Sequence, residues 1–269
     1  MSETLQYGTT GRPHPYHIVK PSPWPLLASL AAGFLALTAV YYFHDDILWP
    51  MLLSAVALIA VSTLWFRDII RESMTKNDHN DIVRNGFRYG MLLFIFSEVA
   101  FFAAFFWAYF DAALFPTEVL GSVWPPEGIK TIDPFDLPFM MTMILLLSGC
   151  TVTWAHTALL QNNRKDTVTA LGLTVLLGVI FSCFQMYEYS HTAFGFKDTV
   201  YASTFYMTTG FHGFHVIIGT IFLAVVWWRA WRGDYTSKDH FGFEAAAWYW
   251  HFVDVVWLFL FVSIYWFGA

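Results

Sequence analysis

Charge is what this chain of 269 residues has least of: Lys, Arg, Asp and Glu together make up 13% of it. A soluble domain carries about 25%. Hydrophobic residues reach 57% and aromatic residues 20%, so most of the surface must face lipid. Cysteine is nearly missing too. Cys150 and Cys183 both fall inside apolar runs, which argues against a disulfide framework and against a thiolate metal centre. The first twenty residues are polar and lack the apolar core of a secretion signal, so no cleavable signal peptide is expected. Internal repeats are lacking as well, and with them the mark of a transporter built from inverted halves. The net charge of −6 decides little, because the placement of basic residues matters more than the sum.

What the chain has is apolar length. A bilayer core of about 30 Å needs roughly 20 apolar residues per helix. Seven stretches meet that demand: 26–43, 48–66, 90–114, 137–160, 168–189, 202–228 and 245–267. Irregular backbone exposed to lipid would leave N–H and C=O groups unpaired, so each stretch is expected to be helical. The fold class is therefore all-α, a polytopic membrane protein with seven transmembrane helices. PSPWP (21–25) leads into the first helix, HDD (44–46) turns into the second, and WPPEG (124–128) lies in the loop between the third and fourth. The expected organisation is an N-terminal cytoplasmic segment (1–25), helices 1–2 (26–66), a cytoplasmic connection (67–89) and helices 3–7 (90–269).

With the N-terminus inside, that side holds Arg12, Lys20, Arg67, Arg71, Lys76, Arg84, Arg88, Arg164, Lys165, Arg229, Arg232 and Lys238. The other side holds only Lys130 and Lys197, a split of 12 against 2 that accounts for all 14 basic residues. Positive charge collects on the cytoplasmic side of membrane proteins. The N-terminus is thus expected inside and the C-terminus outside, in a bacterial plasma membrane or, alternatively, a mitochondrial inner membrane.

Polar residues inside these spans are the candidate site. FIFSEVAFFAAFFWAYF (94–110) buries one acid, Glu98, among apolar side chains. An ionised carboxylate at mid-membrane costs about 2.5–3.5 kcal/mol on insertion scales. Phe94, Phe101 and Phe102 share its helix face, and Arg88 lies ten residues back, about 15 Å along a helix. Glu98 is expected to be neutral and to donate a hydrogen bond to another helix or to lipid. The sharper alternative is a step in a proton relay, but a relay needs a succession of exchangeable groups and the third helix supplies one. Asp254 is the second intramembrane acid, with His251 one turn earlier as its expected partner.

Histidines raise the question of metal. His212 and His215 lie three apart in GFHGFHVIIG (210–219), His156 lies toward the end of the fourth span, and His251 lies in the seventh. A two-haem bundle places two His on each of two helices about four turns apart, and this pattern does not match it. A zinc or copper site wants three or four converging ligands. Interhelical hydrogen bonds are the expectation for all four, with no metal. Gly210, Gly213 and Gly219 point to close helix packing beside them. Arg67 and Arg71 end the second span, Arg229 and Arg232 the sixth. They either mark the interface by snorkelling or grip lipid phosphate, which Arg binds with two prongs.

Several stretches together resemble subunit III of cytochrome c oxidase. They are WFRDIIRES (65–73), RYGMLLFIFSEVAFFAAFFWA (88–108), VWPPEGI (123–129), SGCTVTWAH (148–156), TGFHGFHVIIGTIFL (209–223) and HFGFEAAAWYWHFVDVVWLFLFVSIYW (240–266). The likeness runs from 21–25 to the C-terminus. It implies a core subunit of a haem–copper terminal oxidase that carries no haem or copper itself, those being held by partner subunits I and II. It implies helices 1–2 leaning away from helices 3–7, with phospholipids in the cleft between. Glu98 matches the family's buried, carbodiimide-reactive glutamate, Arg71 and Arg229 match positions implicated in lipid head-group binding, and Arg67, Arg232 and Trp65 are expected to join them.

Partners implied are subunit I as the main contact, subunit II, small accessory subunits, and cytochrome c through the complex only. No nucleic-acid partner is expected. The implied role is non-catalytic: to bind structural phospholipid, stabilise subunit I and support its proton uptake. Departures are small. Phe66 stands where a second tryptophan often follows Trp65, and Thr157 stands where a second histidine often follows TWAH. Alternatives kept open are a quinol-oxidase subunit III, and a proton channel or transporter using Glu98.

Overall fold

In lipid, long apolar runs have one economical way to pair their backbone, and the computed structural model shows it. Among the described residues are seven helices long and apolar enough to cross a membrane. The structure describes residues 6–7, 13–14, 16–17, 19, 21–76, 80–117 and 122–268. The helices are α1 Trp24–Asp45, α2 Trp49–Lys76, α3 Asp81–Leu114, α4 Leu137–Leu160, α5 Arg164–His191, α6 Val200–Arg232 and α7 Phe241–Leu260. A π-helical turn, Phe261–Trp266, continues α7. A two-residue antiparallel pairing of Gln6–Tyr7 with Pro13–His14 precedes them.

Local chemistry sets the ends. Pro25 sits in the first turn of α1, where its missing N–H costs no hydrogen bond. Asp46 closes that helix in the left-handed region, its N–H donating to the Tyr42 carbonyl at 2.9 Å. Asn163 caps α5 by accepting from the Asp166 N–H, and Thr199 caps α6 by accepting from the Ala202 N–H. Gly233, at φ 88°, ends α6 in a conformation that only glycine adopts without strain. Hydrophobicity marks the bilayer rather than the helix. So α2 runs ten residues beyond Phe66 to Lys76, and α3 begins at Asp81, nine before Gly90.

The chain divides into two compact units, Met1–Gly86 and Phe87–Ala269. In the first, Thr38 and Ser54 hydroxyls meet at 2.7 Å between α1 and α2, and the Trp24 indole donates to Asp68 at 2.9 Å. In the second, α7 is the most enclosed element. Trp250 and Trp257 are fully buried, and their indoles donate to Ser148 (2.8 Å) and Thr142 (2.9 Å) on α4. These bonds satisfy the indole N–H where no water can. The Trp250 ring lies against Gly178 and Gly219. A Cβ at Gly178 would come to 2.9 Å from that ring and 2.6 Å from the Thr220 hydroxyl, and one at Gly219 to 2.9 Å from the ring. Gly210 and Gly213 differ from expectation: a Cβ at either meets only ordinary contacts at 3.7 Å. Among the glycines of α6, only Gly219, at the level of Trp250, is a point of close approach.

Candidate functional site

Glu98 projects from α3, and Phe211, four residues before His215, supplies the first clue to its state. His215 Nδ1 lies 2.6 Å from the Phe211 carbonyl oxygen, so that nitrogen carries the proton and donates it. His215 Nε2 lies 2.9 Å from Glu98 Oε2. In the neutral ring Nε2 is an acceptor, so the contact holds only if one proton lies between the two atoms. Either protonated Glu98 donates to imidazole, or imidazolium donates to carboxylate. The pair has zero net charge either way, which is what a low-dielectric site tolerates. Phe102 and Tyr249 wall the imidazole, with ring centroids 4.9 and 6.3 Å away. Glu98 thus meets another helix, α6, with an aromatic wall around the contact.

His212, one turn earlier, goes elsewhere. Its Nε2 lies 3.2 Å from the Val253 carbonyl of α7 and its ring 5.1 Å from Trp257, inside the bundle. The two histidines therefore serve different helices rather than converging. His251 Nδ1 is 3.6 Å from Asp254 Oδ2, an ion-pair separation longer than a hydrogen bond, and His251 Nε2 is 3.3 Å from the Thr153 hydroxyl. Asp254 is buried against Gly149 of α4, whose missing side chain leaves room for the carboxylate.

A second polar group gathers where α4 ends and α7 begins. Arg88 grips Glu244 with two prongs, Nε to Oε2 at 2.8 Å and Nη2 to Oε1 at 2.9 Å. His240 Nε2 is 3.2 Å from Glu244 Oε1, and the His156 ring centroid is 5.4 Å from that of His240. Reading the sequence singled out His156 but not His240 or Glu244. The i, i+4 spacing of His240 and Glu244 was a usable signal. The approach of His156, 84 residues upstream of His240, leaves no mark in periodicity.

The arginines divide by environment. At the end of α2, Arg67 is half exposed, 3.7 Å from Asp68, Arg71 is exposed, and Trp65 is half-buried. At the end of α6, Arg229 is largely enclosed: Nη1 donates to the Tyr235 hydroxyl at 3.0 Å, and the guanidinium lies 4.6 Å above that ring. Burial pushes the Tyr235 hydroxyl up to about 12 against the opposing pull of Arg229. Arg232 is half exposed and covers Trp228 at 4.9 Å. On the surface of α3 and α7, an apolar groove of about 570 Å³ is lined by Val99, Phe102, Phe106, Phe252, Val256 and Phe259, among others.

The family profile for Cytochrome c oxidase subunit III matches residues 14–269. A protein named Cytochrome c oxidase subunit 3 from Chondrus crispus is 52% identical over 271 residues, covering all of both chains. The chain belongs to the cytochrome c oxidase subunit III family. Same-named proteins from Prototheca wickerhamii (54% identical, covering 96% of this chain and 99% of that one) and Oncorhynchus masou (54%, covering 95% and 98%) agree. As a member of this family the chain is a multi-pass membrane protein of the respiratory oxidases.

Proposed function

We propose that this chain is a non-redox core subunit of cytochrome c oxidase. It binds phospholipid, stabilises subunit I and sustains its proton uptake, while partner subunits I and II hold haem and copper, oxidise cytochrome c, reduce oxygen to water and pump protons. The observation that carries the proposal is the match of nearly the whole chain to relatives bearing the oxidase subunit's name. Side-chain commitments support the non-redox part. His212 is engaged with the Val253 carbonyl, and His215 with Glu98 and the Phe211 carbonyl, so the α6 pair is turned toward protein partners. Side chains at the ends of α2 (Trp65, Arg67, Arg71) and α6 (Arg229, Arg232) support contact with lipid head groups. Arg71 and Arg232 are exposed, so phosphate can approach them from outside, whereas Arg229 would reach phosphate while keeping Tyr235. The groove on α3 and α7 suits acyl chains. The N-terminus lies on the side that holds most of the basic residues.

The rival reading, a proton channel gated by Glu98, has the Glu98–His215 pair in its favour. Beyond that pair the described path ends at the Phe211 carbonyl, which accepts a proton bond but does not exchange protons. Variants of the intact oxidase test the proposal. Glu98→Gln should retain near-normal proton pumping, and Arg71→Ala should lower the phospholipid copurified per haem with pumping intact. Abolished pumping in the first variant would revive the channel, and unchanged lipid in the second would remove Arg71 from head-group binding.

A further inference from the structure

The His156, His240 and Glu244 cluster has more acceptors than protons to share. His240 Nδ1 lies 3.0 Å from the Thr236 carbonyl, which fixes the proton on Nδ1 and aims the Nε2 lone pair at Glu244 Oε1, 3.2 Å away. Two acceptors do not rest at that distance without a cation or proton between them. On the far side, His156 Nε2 is closed off from solvent and has no hydrogen-bond partner among the described residues. A proton on His240 would serve Glu244 but leave His156 unserved. A metal ion serves all three.

We propose that His156, His240 and Glu244 form a binding site for a zinc ion at the junction of α4 and α7, with a fourth position left for water. One ligand atom from each of the three residues already lies within 4.8 Å of the others. Zinc bonds of about 2.0–2.2 Å in a tetrahedron hold ligand atoms about 3.3–3.6 Å apart. The His240–Glu244 edge, at 3.2 Å, is within about 0.1 Å of that range, and the His156 edges close by side-chain rotation. Two imidazoles and a carboxylate are a zinc donor set, and thiolates are not required. The Nδ1–H···O=C bond from His240 to Thr236 is the outer-shell contact that orients a metal-binding imidazole. Phe243, stacked on His156 at 5.3 Å, holds the other ring.

Arg88 is the competing cation. Its side chain is 39% exposed whereas that of Glu244 is 12% exposed, so the arginine can turn outward while the carboxylate stays. Zinc therefore exchanges with Arg88 for one Glu244 oxygen, and its arrival breaks the two-pronged link between α3 and α7. The site lies apart from Glu98 and His215 and is independent of their role.

The intact oxidase complex, equilibrated with zinc chloride after chelator treatment, supplies the test. Anomalous diffraction at the zinc edge should show a peak about 2.0–2.2 Å from His156 Nε2, His240 Nε2 and a Glu244 oxygen. In His156→Gln or His240→Gln the peak should vanish, and zinc binding at this site should weaken at least about 10–100-fold, while zinc bound elsewhere in the complex is unaffected. No peak there in the wild-type complex at saturating zinc would overturn the proposal, as would a peak unchanged in both variants. The wild-type measurement decides even if one variant fails to assemble.

Discussion

At the scale of the residue, one proton holds the Glu98–His215 contact together, and its removal has a computable consequence. In Glu98→Gln the amide N–H donates to His215 Nε2, so the bond survives with neutral partners. In Glu98→Ala that nitrogen keeps its place among aromatic rings with nothing to bond, at a cost of about 1–3 kcal/mol. Thermal unfolding of the detergent-solubilised chain should show a clear drop in midpoint for Ala and little for Gln. Equal losses would mean that His215 finds another partner, or that charge rather than the shared proton matters. The acid itself was plain in the sequence, because a lone carboxylate in an apolar span has to be neutralised. Its partner was not. His215 lies 117 residues away, and the periodicity of one helix says nothing about which other helix it faces.

At the scale of the element, α5, α6 and α7 meet where Gly178 and Gly219 admit the Trp250 ring. Gly178→Ala and Gly219→Ala each push a methyl into 2.6–2.9 Å contacts with neighbours that have no room to move, and overpacking of this kind costs about 1–3 kcal/mol. Gly210→Ala and Gly213→Ala meet nothing closer than 3.7 Å and should be neutral or slightly stabilising. Chemical or thermal unfolding of the four variants should separate into these two groups, and four equal midpoints would contradict the packing described. The helices themselves were legible by length, since lipid leaves no other regular structure for such runs. Their ends were less so: α2 and α3 continue past the apolar stretch through residues that water supports as helix equally well. Gly178 was overlooked because a lone glycine in an apolar run resembles any other, and Gly210 and Gly213 were over-read because small residues mark close packing only when a large one is aimed at them.

At the scale of the whole molecule, seven helices among the described residues are long and apolar enough to cross a membrane, and membrane bulk outweighs chemistry. The family membership was visible in long motifs such as TGFHGFHVIIGTIFL (209–223), and the His156–His240–Glu244 cluster was not, because it forms only when α4 and α7 pack. The central claim is that this chain serves an oxidase without holding a redox centre of its own. Affinity purification of the tagged chain in mild detergent, followed by visible spectra before and after dissociation of the complex, tests it most directly. The intact preparation should carry haem absorbance together with two partner polypeptides, and the separated chain should carry none. Haem or redox-active copper retained stoichiometrically on the separated chain would contradict the account.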